Sequence, residues 1–356
     1  MNGLYSEWSA RVRAAAAKGA SLCLRGGGTK DFYGRAPAGE PFELAANTGV
    51  IAYEPTELVV TVRGGTRLAE LEALLAAQNQ FLAFEPPHFG AAATVAGCVA
   101  AGLSGPRRAT AGAVRDFMLG VKLLDGRGQV MSFGGQVMKN VAGYDVSRLV
   151  AGSLGTLGVI LEVSLKVLPR PVAEATLAFA LNEADAIARL NDWGGQPLPI
   201  SASAWSDGRL MLRLSGAEAA VRAASGRLGG EVVADDTAQA FWRGLREQDA
   251  GWFDIGADLT LWRLSLPSSA AALRLPGHQL IEWGGAQRWL ATGAAAADIR
   301  ARVEALGGHA TQFRRGDRSS AVFAPLSGPM MILHQRLKDA FDPARVFNPG
   351  RLYEGL

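Results

Sequence analysis

Apolar residues in the first half of the chain form short runs of two different periods, separated by glycine-rich breaks. Apolar side chains at helical spacing predict an amphipathic helix over residues 4–18, with Gly19 as its stop. Further helices are predicted from Leu68 to about Asn79 and over residues 146–150. Runs rich in β-branched residues, with a turn at Asp125-Gly126, predict strands at residues 47–53, 58–63, 115–124, 130–133 and 160–167.

A different pattern begins after Pro169-Arg170-Pro171, where shorter strands alternate with helices. Strands are predicted near residues 175–181, 200–205, 210–214, 259–266 and 280–283. Helices are predicted near residues 183–191, 217–228, 236–248 and 294–306. This spacing is typical of an antiparallel sheet with helices on one face, so we predict an α+β protein. The expected units are residues 1–170, 171–324 and 325–356, the last with a helix through Phe341.

Three consecutive glycines, Gly26 to Gly28, follow the short apolar run at residues 22–24. Glycine adopts positive φ and lets backbone approach a bulky group, and successive N–H groups in such a turn attract anions. Arg25 and Lys30 add positive charge, and Thr29 adds a donor. The loop therefore predicts a strand that runs into a diphosphate cradle. A solvated turn after a strand stays open as the alternative.

The spacing of this loop excludes two common phosphate-binding motifs. A P-loop ends in Gly-Lys-Ser/Thr, but Thr29 precedes Lys30 here. The dinucleotide fingerprint Gly-x-Gly-x-x-Gly also fails, because Asp31 stands where its last glycine belongs.

Two further stretches are unusually poor in large side chains. Between Gly90 and Gly102 almost nothing is larger than valine, so a flat ligand could lie against the backbone. A tightly packed helix is the alternative for this stretch. Gly152, Gly155 and Gly158 recur at every third position before the strand that begins at Ile160.

Composition narrows the classes of function. The 356 residues carry a formal net charge of +3, with basic residues dispersed, so a nucleic-acid interface is not expected. Charged residues interrupt the first twenty positions, and no apolar stretch is long enough to cross a membrane, so neither a signal peptide nor a transmembrane segment is expected. Two cysteines, and four histidines without ligand spacing, make a protein-held metal or iron–sulfur cluster unexpected. Any redox chemistry would then use an organic cofactor.

The ordered motifs resemble the FAD-binding domain of the vanillyl-alcohol oxidase and p-cresol methylhydroxylase (PCMH) superfamily. They are Arg25-Gly26-Gly27-Gly28-Thr29, Thr94-x-x-Gly97, Gly105-Pro106-Arg107, Gly112-x-x-Arg115-Asp116, Lys139-Asn140-x-x-Gly143-Tyr144-Asp145 and Gly155-Thr156-Leu157-Gly158. The closing Asn348-Pro349-Gly350-Arg351 resembles the C-terminal return of D-2-hydroxyacid dehydrogenases in this group. The whole chain is most similar to the FAD-binding E subunits of bacterial glycolate oxidases.

The resemblance implies a two-lobed PCMH-type domain, then a smaller antiparallel domain, with the C-terminal segment returning to the first. It also implies cofactor-binding residues. The pyrophosphate loop would be Arg25, Gly26, Gly27, Gly28, Thr29 and Lys30. The flavin and ribityl chain would be lined by Pro87, Thr94, Gly97 and Cys98, with Asn348 reaching the flavin from the C-terminus. The channel would be bordered by Gly102, Gly105, Gly112 and Val114, and the adenine end by Gly155, Gly158 and Ile160.

Two departures from the family pattern bear on the chemistry. No histidine stands at Thr29 or beside it, so we expect non-covalent FAD. The metal-binding histidine and glutamate motif of the catalytic glycolate-oxidising relative has no match. Arginines suited to a carboxylate are Arg314, Arg315, Arg318 and Arg351, and the candidate bases are His88 and His334. Surface salt bridges or capping explain each of them as well, so no catalytic residue is assigned.

The expected function is that of an FAD-binding subunit of a 2-hydroxyacid oxidoreductase, glycolate oxidase above all, which turns glycolate into glyoxylate. Expected partners are a larger FAD-binding catalytic subunit and an iron–sulfur subunit that accepts electrons. The expected location is cytoplasmic, with membrane association through partners left open. Two alternatives remain: a structural or assembly subunit with a vestigial FAD site, and a stand-alone FAD-linked oxidase of sugars or alcohols.

Overall fold

The computed structural model describes residues 3–135, 145–249, 251–318 and 321–356. The predicted motif residues Lys139, Asn140, Gly143 and Tyr144 lie outside these ranges.

The first half of the chain mixes short helices and strands, largely as the apolar pattern predicts. The helices are α1 (Gly3–Lys18), α2 (Leu68–Ala76), α3 (Val95–Ala101), α4 (Arg108–Ala111), α5 (Val114–Phe117) and α6 (Val146–Leu149). The strands are β1 (Leu22–Arg25), β2 (Glu40–Glu43), β3 (Val50–Glu54), β4 (Val59–Arg63), β5 (Gln80–Phe81), β6 (Met118–Leu124), β7 (Val130–Gly134), β8 (Val159–Lys166) and β9 (Leu168–Pro169). Residues 115–117, predicted as the start of a strand, instead end α5.

Five strands of this half form an antiparallel sheet in the order β3-β4-β8-β6-β7. The predicted hairpin is confirmed, since β6 pairs with β7 across Asp125-Gly126. Apolar side chains of the sheet, such as Val60 and Val163, pack with α2 and α3 into one buried cluster. Burial of these side chains contributes about 1.5–3 kcal/mol each, and this core holds α3 against the sheet.

The glycine loop is held in place by a parallel pair of strands. β1, which leads into the loop, pairs with β2 in the register Leu24↔Phe42. Phe42 is buried against Trp8 of α1, with ring centroids 5.6 Å apart. Leu22 also bridges to Phe347 near the C-terminus, so the loop starts from a fixed position.

Eight strands of the described second half form one antiparallel sheet in the order β13-β10-β12-β11-β15-β16-β14-β17. They are β10 (Ala173–Ala180), β11 (Ile200–Ser206), β12 (Arg209–Gly216), β13 (Glu231–Val233), β14 (Thr260–Ser265), β15 (His278–Glu282), β16 (Gln287–Thr292) and β17 (His309–Arg314). The helices are α7 (Glu183–Gly194), α8 (Glu218–Leu228), α9 (Asp235–Glu247) and α10 (Ala296–Ala305), followed by α11 (Gly328–Phe341). The antiparallel α+β prediction is confirmed.

The predicted placement of all these helices on one face is wrong. Alternate strand residues such as Leu177 pack with α7 and α8, and Trp262 packs with α10. The neighbouring residues Ala178 and Leu261 belong to a different cluster, which contains Trp242 of α9. Since side chains alternate between the faces of a strand, α9 covers the opposite face.

That second face of the large sheet also contacts the first half of the chain. The same buried cluster contains Tyr33, Leu103 and Leu154 from the first half, together with Trp289 and Phe313 from the sheet. The two halves therefore share one apolar interface. The boundaries 1–170, 171–324 and 325–356 stay a prediction.

Candidate functional site

A cleft lies between the glycine loop, α3 and the loop before β8. Two adjoining volumes of about 610 Å³ and 450 Å³, both open to solvent, share Gly26, Thr94, Gly97 and Asn348 among their walls. The structure thus brings the three glycine- and alanine-rich segments together. The predicted residues that line the cleft are Arg25, Gly26, Gly27, Gly28, Thr29, Lys30, Thr94, Gly97, Gly155, Gly158, Ile160 and Asn348.

The glycine loop presents unused hydrogen-bond donors to this cleft. None of the backbone N–H groups of residues 26–30 donates a hydrogen bond to another residue that the structure describes. Gly28 has φ 72°, the positive range that glycine adopts without strain. A row of such N–H groups forms a concavity that attracts anions.

Lys30 supplies a half-buried cation beside these donors. Its Nζ donates to the carbonyl of His88 at 3.1 Å and lies 5.4 Å from the centre of the Phe89 ring. Burial lowers the pKa of the Lys30 ammonium below its ordinary value. Within the described ranges Lys30 makes no ion pair, so an anion in the cleft would supply its missing counter-charge. Arg25, in contrast, pairs with Asp31 at 2.9 Å on the exposed side of the loop.

Two of the loop glycines are required by close backbone approach within the protein itself. A Cβ on Gly27 would lie 1.6 Å from the carbonyl oxygen of Ala92, and one on Gly26 would lie 2.5 Å from Oγ1 of Thr94. Substitutions at these glycines would therefore displace the loop, and they cannot test ligand contact alone.

The small-residue stretch is both a packed helix and a wall of the cleft. Oγ1 of Thr94 accepts a hydrogen bond from Gly97 N at 3.2 Å and caps α3, and Gly102 ends it with φ 67°. Cys98 faces the core, while Gly97 and Ala100 line the cleft. The helix therefore offers a smooth surface on one side because its larger residues lie on the other.

The third wall joins the loop before β8 to the C-terminal segment. Asn348 Oδ1 accepts from Leu24 N at 2.8 Å, and its Nδ2 donates to the Leu154 carbonyl at 2.7 Å. The backbone just before Asn348 is anchored by Lys338, whose buried Nζ donates to the carbonyls of Thr156 and Phe347 and to Asp342, each at 2.7 Å. The C-terminal segment thus returns to the glycine loop and closes the cleft.

The remaining predicted residues lie elsewhere around this region. Pro87 and Gly105 line a separate cavity between the two halves. Cys98 and Val114 are buried in the core of the first half, and burial raises the pKa of the Cys98 thiol to about 12. Gly102 and Gly112 end the helices α3 and α4. A cofactor-binding role for all of the predicted residues stays a prediction.

The candidate carboxylate-binding arginines are mostly engaged with backbone. Arg315 donates to the carbonyls of Ile255 and Gly256, and Arg318 to those of Gly34 and Phe313. Arg351 lines the cleft and donates to the Asp31 carbonyl at 2.9 Å.

Arg314 and the two candidate bases also have identified contacts. Arg314 lies 4.7 Å from the ring centres of both Phe32 and Phe89, and burial, with repulsion from Arg315, lowers its pKa to about 10. His88 lies 3.1 Å from Glu72. His334 contacts the carbonyl of Met330 on α11.

Sequence reasoning missed several residues of the site. Gly64, Gly65 and Leu154 also line the cleft. The pair Gly64-Gly65 is a fourth glycine segment, and this was the sequence signal that could have identified it. The structure shows why glycine is needed there, since a Cβ on Gly64 would lie 2.4 Å from the carbonyl oxygen of Ile160. Leu154 carries no comparable signal.

Comparison with known proteins identifies the family. Residues 5–134 match the family described as FAD binding domain. The chain is 48% identical over 335 residues to glycolate oxidase subunit GlcE of Escherichia coli K12, covering 94% of this chain and 93% of that protein. The chain belongs to the GlcE family. The resemblance of the whole chain to E subunits is confirmed, as is the FAD-binding domain.

More distant similarity in sequence covers part of the chain, whereas similarity in fold extends over nearly all of it. Glycolate oxidase subunit GlcD of Bacillus subtilis is 30% identical over 141 residues, 39% of this chain and 30% of that protein. A solved structure of alkyldihydroxyacetonephosphate synthase superposes with a TM-score of 0.69 at 14% identity, covering 97% of this chain and 75% of the other. This likeness shows a shared fold.

The cleft of this GlcE-family chain fits the diphosphate part of FAD. Unused N–H donors, a half-buried cation without an ion pair and a helix face without large side chains suit a flat, twice-phosphorylated molecule. Across the described ranges, no helix combines the length and apolar character that crossing a bilayer requires.

Proposed function

We propose that this chain holds FAD non-covalently in the cleft and acts as the E-type subunit of a glycolate oxidase, in which glycolate becomes glyoxylate. The observation that carries this proposal is the row of unused N–H groups from Gly26 to Lys30 beside an unpaired ammonium. FAD supplies the acceptor for a hydride when it is bound. The chain's own residues hold the diphosphate and keep the cofactor against α3.

The proposed partners are a larger FAD-binding catalytic subunit and an iron–sulfur subunit. The chain has two cysteines, Cys23 and Cys98, whereas a cluster commonly takes four cysteine ligands. If electrons leave the flavin one at a time through an iron–sulfur cluster, another protein must hold that cluster. Helix α11 supports such contact, because Met330, Ile332 and Leu333 are 43%, 52% and 49% exposed; exposed apolar groups are typical of interaction surfaces. The proposed location is cytoplasmic.

Ala100→Leu tests the cleft. Ala100 lines both volumes of the cleft, so a leucine there would occupy space meant for the cofactor while α3 keeps a good helix former. We expect the unaltered purified chain to carry FAD and the variant to bind it at least tenfold more weakly, about 1.4 kcal/mol. Flavin absorption and titration with FAD measure this.

Ala188→Leu is the matched control, because Ala188 is exposed in the middle of α7. It should bind FAD as the unaltered chain does, and circular dichroism should show both variants folded. Equal FAD affinity in Ala100→Leu and the unaltered chain would contradict the placement of the cofactor. An unaltered, folded chain that binds no FAD would favour an assembly subunit with a vestigial site.

A further inference from the structure

Residues 87–90 lie between the glycine loop and the second half of the chain. Gly90 packs against that loop, since a Cβ on this residue would lie 3.4 Å from Cγ2 of Thr29. Phe89 has φ 54°, in the left-handed region that residues other than glycine rarely adopt. A strained conformation of this kind persists only where surrounding contacts impose it. The neighbours of residues 87–90 therefore hold the segment in a shape that it would not keep alone.

Glu247 connects this segment to the second half. One carboxylate oxygen, Oε2, accepts from the backbone N–H groups of both His88 and Phe89, at 3.0 Å each. The other, Oε1, lies 2.8 Å from Nε of Arg246. Glu247 is the last residue of α9, and its side chain is 16% exposed. A negative charge at the C-terminal end of a helix opposes the helix dipole, so the helix itself gives no reason for an acid at this position.

The peptide unit between His88 and Phe89 joins Glu247 to Lys30. Its N–H, which belongs to Phe89, donates to Glu247, and its carbonyl, which belongs to His88, accepts from Lys30 Nζ at 3.1 Å. A peptide unit is rigid and planar, and this one is trans, so its N–H and its C=O point in opposite directions. A rotation at the N–H end, once Glu247 is lost, therefore also displaces the carbonyl that orients Lys30.

The side chains on either side of this peptide unit are also held. The His88 ring lies 3.1 Å from Glu72 of α2. The guanidinium of Arg314, at the end of β17, lies 4.7 Å from the centre of the Phe89 ring. With both side chains fixed, the direction of the peptide unit between them depends on Glu247.

Charge supports the same link. Burial lowers the pKa of the Lys30 ammonium, whereas the negative charge of Glu247 opposes this lowering. An ammonium that meets a diphosphate has to stay protonated. Glu247 therefore favours the form of Lys30 that binds an anion.

We propose that Glu247 is a positioning residue of the cleft, which aims the Lys30 ammonium at the bound diphosphate through the peptide unit between His88 and Phe89. This inference rests on the proposed function, because it takes the diphosphate of FAD as the anion that Lys30 meets. Glu247 is not a wall residue of the cleft, and the match to the FAD-binding family ends at residue 134. The second half of the chain thus takes part in holding the cofactor.

A double-mutant cycle tests this link by titrating the FAD-free chain with FAD and recording flavin fluorescence. Lys30→Met removes the ammonium, and Glu247→Met removes the acceptor of the two N–H groups. Each should weaken the affinity for FAD at least tenfold. Because Glu247 acts through Lys30, the double variant should bind FAD within twofold of Lys30→Met. A double variant that binds more weakly than this overturns the inference, since Glu247 would then act independently of Lys30.

Glu247→Gln tests rescue by a conservative variant. Its amide oxygen can still accept from both N–H groups, so its affinity for FAD should lie within threefold of that of the unaltered chain. A larger difference contradicts the hydrogen-bonded link. Circular dichroism checks that each variant folds. If Glu247→Met does not fold, Glu247→Asp, whose shorter side chain cannot reach both N–H groups, replaces it in the cycle under the same expectation.

Glu304→Met is the matched control, because Glu304 is an exposed acid near the C-terminal end of α10. It should bind FAD as the unaltered chain does. If Glu247→Met binds FAD within tenfold of the unaltered chain, this inference is overturned and the proposed function still stands. A folded, unaltered chain that binds no FAD overturns both.

Discussion

Glu282 illustrates, at the scale of one residue, why sequence reasoning found the glycine loop and missed a buried acid between the two halves of the chain. The glycine loop was visible because three glycines in a row are costly unless the backbone must turn with positive φ or approach another group closely. Glu282 follows Leu280 and Ile281 at the end of a predicted strand and resembles an ordinary solvent-facing polar residue. Contacts between residues far apart in sequence decide which face of a strand packs against another part of the chain. The local pattern of apolar residues carries no information about those contacts.

The raised pKa of Glu282 predicts a pH effect on stability. Its folded-state value of about 7 lies above the ordinary 4.5, so the folded state keeps a proton that the unfolded state releases in that window. This contribution is full below pH 4.5 and is lost as the pH rises through 7. We expect Glu282→Gln to lack this loss of stability. At about 1.4 kcal/mol per pKa unit, the loss in the unaltered chain is at most roughly 3 kcal/mol.

Urea unfolding of both proteins at about pH 5 and about pH 8 measures the effect. The free energy of unfolding should fall more for the unaltered chain than for Glu282→Gln across this range. Parallel pH dependence in the two proteins would show that Glu282 titrates at its ordinary value.

At the scale of the element, α3 depends on its first residue. The helix spans Val95 to Ala101, and the side chain of Thr94 caps its N-terminus. Helices this short gain little from propensity alone, so the cap and the core contacts of Val95 and Val99 hold it. The same helix presents Gly97 and Ala100 to the cleft.

Thr94→Val should therefore weaken both stability and cofactor binding. The valine keeps the size of threonine but cannot accept from Gly97 N, and loss of an N-cap costs about 0.5–2 kcal/mol. We expect a lower urea midpoint and a weaker affinity for FAD. Thr94→Ser, which keeps the hydroxyl, should behave nearly as the unaltered chain. A Thr94→Val variant as stable as the unaltered chain would contradict a role for the cap, and a loss confined to Thr94→Ser would assign the effect to the methyl group.

Sequence patterns missed the strands β2 and β16 because the polarity of their residues does not match their position in the fold. In β2 the glutamates Glu40 and Glu43 flank Pro41 and Phe42, and only Phe42 of the strand is buried. β16 is buried along its whole length although it contains Gln287 and Arg288. Arg288 is tolerated there because it donates to the carbonyls of residues 270 and 271. Tertiary hydrogen bonds of this kind override a polarity pattern.

At the scale of the whole molecule, Glu85 connects the two halves. Its carboxylate accepts from Arg213 of the large sheet at 2.8 Å and 2.9 Å, and from the backbone N–H of Arg107 at 2.8 Å. Burial alone raises the pKa of Glu85, but the guanidinium groups of Arg213 and Arg107 more than offset this and lower it. Sequence gave no sign of this link, since its members are far apart in the chain.

Glu85→Gln should destabilise the protein by about 3 kcal/mol, because breaking a buried pair leaves its cations uncompensated. Urea unfolding at neutral pH measures this. Glu174→Gln is the matched control: Glu174 also pairs with Arg107, but its side chain is 42% exposed, so its loss should cost at most about 1 kcal/mol. Similar losses in the free energy of unfolding for the two variants would contradict the view that buried Glu85 stabilises the contact between the halves more than exposed Glu174 does.

The return of the C-terminal segment has a consequence for synthesis. Asn348 seals the cleft by accepting a hydrogen bond from the backbone N–H of Leu24, 324 positions earlier, and the buried ammonium of Lys338 anchors the neighbouring Phe347 carbonyl. A nascent chain on the ribosome thus displays its glycine loop long before the wall opposite has been translated. We therefore expect FAD to be captured only at the end of translation or after release from the ribosome.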